Sequence, residues 1–126
     1  MLSFEQFTAF AQQGYNRIPL ALELLADLDT PLSVYCKLAN RPYSYLFESV
    51  HGGERWGRYS IIGLSSQQRL EVRDHTVRIY QEDTLLSEQQ SADPLAFIED
   101  YQAQFRVPEV EGLPRFTGGL VGYFAY

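Results

Sequence analysis

The sequence predicts an α+β fold: a mostly antiparallel β-sheet, half of a β-sandwich, with two or three helices packed on it. Three observations carry this. Capping side chains stand immediately before helical periodicity at Ser3, Thr30 and Asp93, twice followed by proline. Short alternating segments joined by turn residues mark antiparallel hairpins. The length, 126 residues with 45% hydrophobic, fits one small domain and leaves little room for two.

Taken in order, Ser3-Phe4-Glu5-Gln6 reads as a capping box, and Phe4, Phe7, Phe10 and Ala11 follow at helical spacing until Gly14. That phenylalanine stripe is expected to pack in the core. Ile18 to Leu24 alternates at period two and is taken as a strand, restricted by Pro19 to an edge or its first residues. A second helix starts at Asp29-Thr30-Pro31, shares Leu32, Tyr35, Cys36 and Ala39 on one face, and stops at Asn40-Arg41-Pro42; Cys36 is expected to be a buried core thiol. Ser44 to Val50 and Arg58 to Leu64 read as two strands of a hairpin whose tip is His51 to Gly57. Leu70-Glu71-Val72-Arg73 and Val77-Arg78-Ile79-Tyr80 form a second hairpin through Asp74-His75-Thr76. The polar stretch 81–92 holds at most a short strand at Leu85-Leu86. Asp93-Pro94 opens a helix to about Arg106, and Val107 to Pro114 is a connector. The apolar, glycine-punctuated Phe116 to Tyr126 is expected to be a strand inside which the chain stops. Such an exposed edge points to a fragment of a longer protein and to dimerisation by strand exchange.

Composition narrows the chemistry. Ten Lys and Arg against sixteen Asp and Glu give a net charge of −6, and the arginines form no basic run, so nucleic acid is not an expected partner. No segment is apolar enough to span a membrane, and no secretory leader is visible, so a cytoplasmic protein is expected. A lone Cys36, with His51 and His75 in separate loops, builds no metal site from soft ligands. Gly118-Gly119-Leu120-Val121-Gly122 leads into a strand and lacks the helix N-terminus that would bind phosphate. The remaining constellation is Glu48-Ser49 on one strand facing Arg58 and Ser60 on the next. If Leu46 faces the core, period two puts Glu48 on its side and Phe47 with Ser49 on the other. A carboxylate, hydroxyls and a guanidinium suit a zwitterion such as an amino acid; a plain structural ion pair between Glu48 and Arg58 is the competing reading.

At these residues a resemblance appears. Tyr15 to Leu20, Thr30 to Tyr35, Ser44 to Ser49, Gly53 to Gly63 and Gly118 to Phe124 resemble the N-terminal region of the anthranilate synthase component I family, nearly end to end. The family usually has leucine where Phe47 stands. The resemblance implies a single N-terminal regulatory domain over 1–126, without the C-terminal chorismate-binding catalytic domain. It implies a full-length enzyme that converts chorismate to anthranilate and pyruvate, using Mg²⁺ and ammonia from a glutamine amidotransferase, component II. It places Mg²⁺ and catalysis outside this chain, which alone is expected to be non-catalytic and to need no cofactor. It also implies an L-tryptophan feedback site at Ser49 and Glu48, supported by Phe47, Arg58 and Ser60. Aminodeoxychorismate synthase component I, which shares this fold, is the nearest alternative; a stand-alone amino-acid-binding module or an assembly fragment are the others.

Overall fold

The computed structural model describes residues 1–48 and 59–125. The elements run α1 (Phe4–Gln12), α2 (Pro31–Leu38), β1 (Tyr45–Glu48), β2 (Ser60–Gly63), β3 (Gln68–Arg73), β4 (Thr76–Gln81), β5 (Thr84–Gln90) and α3 (Pro94–Ala103). Among the described residues these helices and two antiparallel sheets, β1-β2 and β3-β4-β5, make the α+β fold that the sequence predicts. The chain divides into two compact units, one of Met1–Leu24 with Ser91–Tyr126, the other of Leu25–Gln90.

In the first unit, α1 begins as its sequence requires. The Ser3 hydroxyl accepts from the Gln6 N–H at 3.1 Å, and the Gln6 side chain accepts from the Ser3 N–H at 2.9 Å. It ends in a Schellman turn: Gly14, at φ +86°, donates to Ala11, and Tyr15 donates back to Phe10. The rings of Phe10 and Tyr15 meet edge to face at 5.7 Å, the apolar contact that accompanies this turn. The rest of the phenylalanine stripe is not buried: Phe4 is 83% exposed and Phe7 is also exposed, so the expected core role holds only for half-buried Phe10. Asp93 caps α3 by accepting from the N–H groups of Leu95 and Ala96, both at 3.1 Å, with Pro94 next in line. The helix closes at Ala103, short of the expected Arg106, because Phe105 donates to Gln102 in a tighter turn.

The carbonyl and amide groups released there are taken by Asn16. Its Nδ2 donates to the Gln104 carbonyl at 2.7 Å and its Oδ1 accepts from the Arg106 N–H at 2.7 Å. The backbone N–H groups of Asn16 and Arg17 both donate to the Arg106 carbonyl. This docking explains why Ile18 to Leu24 is not the expected strand. The preceding N–H groups point at Arg106, Pro19 has none to give, and residues 17–26 form no regular element, leaving Leu20, Leu22 and Leu24 exposed. The segment 116–125 is likewise not a strand: Gly118 and Gly119 stand at φ +147° and +151°, outside the extended range a ladder needs.

In the second unit, Thr30 and Ser33 cap α2 reciprocally, at 3.1 and 3.0 Å, with Ser33 in the place usually held by Glu or Gln. Asp29 accepts from Lys37 Nζ at 2.6 Å and from Ser33 Oγ at 2.8 Å, and these bonds, Lys37 first, hold its carboxyl below the ordinary value. Their support of the helix start is therefore present above the ordinary carboxylate range and is lost as pH falls through the lowered value. The buried face of α2 centres on Ala39 with Val34 and Tyr35 half-buried; Cys36 is turned to solvent, not buried as expected.

Strands β3, β4 and β5 form a meander around Val77, which is fully buried. Both connections are two residues long, Asp74-His75 and Glu82-Asp83, and both open with an acidic residue at φ +53°. His75 is thus a turn residue, as the sequence indicates. Strand β5 is longer than Leu85-Leu86 foretold. It is largely polar, and its cross-strand partners hold it. Arg78 is ion-paired to Glu88 opposite, which raises the arginine's pKa, and the Gln90 amide donates to Thr76 opposite at 2.8 Å. A register shift between Ile79 and Tyr80 leaves Leu86 as the extra residue.

Candidate functional site

The site expected from sequence lies on β1 and β2, within the second unit. These strands pair antiparallel in the register Tyr45↔Gly63, Leu46↔Ile62, Phe47↔Ile61 and Glu48↔Ser60. Residues directly opposite share a face, and faces alternate along each strand. One face therefore carries Leu46, Ile62, Glu48 and Ser60, and the other carries Tyr45, Phe47 and Ile61. The Tyr45 and Phe47 rings, 4.8 Å apart, bear this out. Leu46 is half-buried while Glu48 is exposed, so the carboxylate shares the leucine's face without being buried with it.

Of the five residues expected at the site, the register thus brings together Glu48 and Ser60, both exposed, at the end of the strand pair. Phe47 stands on the reverse face, half-exposed. Ser49 and Arg58 lie outside the described residues, as does the loop histidine His51. An acceptor carboxylate directly across from a hydroxyl can take an ammonium group and a second hydrogen bond from one ligand. Among the described residues no cluster of three or more His, Cys, Asp or Glu side chains is placed to hold a metal ion. No helix among them is long and apolar enough to cross a membrane.

Two features were missed from sequence. The Tyr45 ring fills the space beside Gly63, where a Cβ would overlap its Cδ1, Cε1 and Cζ atoms. A glycine inside a strand signals such a close approach. In the first unit, a shallow cleft of about 380 Å³ opens between Leu2, Phe10, Pro19, Val110 and Leu113, with Glu109 and Glu111 at its edge. Its lining is mixed polar and apolar, and among the described residues no buried polar residue faces it.

Comparison with known proteins gives the geometry a context. A protein of Pseudomonas aeruginosa is 60% identical over 122 residues, 97% of this chain, and one of Neisseria meningitidis is 59% identical over the whole chain. One of Aquifex aeolicus is 43% identical over 99% of the chain. All three are named anthranilate synthase component 1. The chain matches the N-terminal part of anthranilate synthase component 1. It spans about a quarter of the length of the curated relatives it matches. No protein-family model matches the chain, and no solved structure does.

Proposed function

We propose that this chain is the N-terminal, tryptophan-binding part of an anthranilate synthase component I. The full-length cytoplasmic lyase would convert chorismate, with ammonia released from glutamine by its component II partner, to anthranilate and pyruvate in tryptophan biosynthesis. The observation that carries the reading is identity of 43–60% along essentially the whole chain to proteins of that name. In this reading the chain is a regulatory part, inactive by itself, and chorismate and Mg²⁺ are held by the remaining three quarters of the enzyme.

The cross-strand pair Glu48–Ser60 supports the feedback role. The carboxylate would meet the ammonium group of L-tryptophan, while Ser49 and Arg58 complete the polar contacts and Phe47 contributes apolar surface. Burying an indole of about 200 Å² is worth roughly 5 kcal/mol. Association costs at least about 4 kcal/mol, so the polar contacts decide whether the inhibitor is held. Feedback then needs the bound state to disfavour the active arrangement by about 1–3 kcal/mol.

The test is Ser49→Phe in the full-length enzyme. Its bulk replaces the hydroxyl assigned to the inhibitor, so anthranilate formation should persist. The tryptophan concentration for half-inhibition should rise by about 5–150-fold, the span of that coupling. Unaltered sensitivity would remove Ser49 from the site.

A further inference from the structure

We propose that Tyr45 and Gly63 are a positioning pair for inhibitor recognition, fixing the strand separation that sets Glu48 against Ser60; this rests on the tryptophan reading above. Among the described residues the strand pair is four residues deep, short for holding its geometry by backbone hydrogen bonds alone. What holds it on the face behind Glu48 and Ser60 is aromatic. The Tyr45 ring occupies the volume a side chain would need at position 63 and lies against the Phe47 ring at 4.8 Å, tilted by 35°. Gly63 is not in the left-handed region, so its backbone would accept any residue. Space alone requires glycine there, and the tyrosine opposite is what takes that space.

A methyl group at position 63 would overlap the Tyr45 ring, which must then shift together with the Phe47 ring it lies against. The displacement passes into β1, whose last residue is Glu48, three positions along. Recognition of a zwitterion tolerates errors of only about 0.5 Å in its polar partners. The consequence falls on inhibitor binding and not on the chemistry, whose residues this reading puts elsewhere in the enzyme.

In the full-length enzyme, Gly63→Ala should raise the tryptophan concentration for half-inhibition about tenfold, while kcat and KM for chorismate stay within about twofold. Adding Tyr45→Ala should recover part of that loss, to about the level of a variant that lacks the ring alone, because two methyl groups fit where a ring and a methyl do not. If Gly63→Ala does not accumulate as folded protein, Tyr45→Leu replaces it. That variant removes the ring without adding bulk opposite and should weaken inhibition at least about threefold at unchanged KM. A parent enzyme inhibited by tryptophan whose Gly63→Ala or Tyr45→Leu form is equally inhibited overturns the positioning role alone. A parent enzyme insensitive to tryptophan overturns the feedback reading and this inference with it.

Discussion

Arg69→Ala is expected to destabilise the second unit by about 3 kcal/mol, an effect built from several contacts of one side chain. The guanidinium lies between two rings, 4.0 Å from the centre of Tyr80 and 4.5 Å from that of Tyr43. Nη1 donates to the Glu82 carbonyl at 2.6 Å, and Nε donates to Glu71 at 3.2 Å. Its side chain is only 19% exposed, so these contacts are shielded from water more than a surface pair would be. Two of its partners sit in unfavourable backbone geometry: Tyr43 at φ +61° and Glu82 at φ +53°. A bulky residue there costs about 1–2 kcal/mol, which neighbouring contacts must offset. Glu82 is also held through its N–H, bonded to the Gln67 carbonyl at 2.6 Å, so its loop keeps one anchor when Arg69 is gone. Amide hydrogen exchange over β3 to β5 should speed up accordingly. Arg69→Lys should recover less than half of the loss, since an ammonium cannot serve two rings and two acceptors in one plane. A loss below about 1 kcal/mol would mean that the stacked guanidinium is not what secures these two turns.

Asn16→Asp is the second large expectation, about 2–4 kcal/mol at neutral pH. Asn16 needs both functions of its amide, a donor toward Gln104 and an acceptor toward Arg106, and the backbone partners fix which end is which. A carboxylate keeps the acceptor and turns its second oxygen on the Gln104 carbonyl. Protonation would restore a donor at that position. The introduced acid therefore has a folded-state pKa above its unfolded value of about 3.9. Its stability is best below the unfolded value and is lost as pH rises through the folded one. The gap between variant and parent in urea denaturation should narrow as pH is lowered toward 4. A gap that does not change with pH would show that repulsion at Gln104 is not its source. Asn16→Ala, which loses both bonds and leaves no charge, should cost about 2 kcal/mol at every pH.

Helix starts were legible in the sequence because a cap is local chemistry. Ser3 with Gln6, Thr30 before Pro31, and Asp93 before Pro94 each satisfy N–H groups a few residues away. The hairpins were legible for the same reason, and so was the facing of the Glu48 strand and the Ser60 strand, though not which residues stand opposite each other. What escaped was decided at long range. Alternation from Ile18 to Leu24 has the period of a strand, yet the residues leading into it, Asn16 and Arg17, are committed to Arg106, some ninety residues away, and the segment forms no ladder. Polar β5 has the opposite character: weak intrinsic preference, rescued by an ion pair and an amide bond to β4. Cys36 was misplaced because the apolar face of α2 was read one residue around, toward Leu32, when Val34, Tyr35 and Ala39 are the residues turned inward. At the candidate site, the ring over Gly63 left only a lone glycine as its trace in the sequence.

The clasp around Asn16 bears on how the polypeptide comes into being. Its two halves are separated by 90 positions, with the whole of the other unit threaded between them. At a ribosomal pace of about 5–20 residues per second, Asn16 waits on the order of 5–20 s for Arg106 to be made. The Leu25–Gln90 unit, with its meander and hairpin, can fold within that interval, from contacts close in sequence. Helix α1, made before Leu25–Gln90, is thus among the last parts to be tied in place.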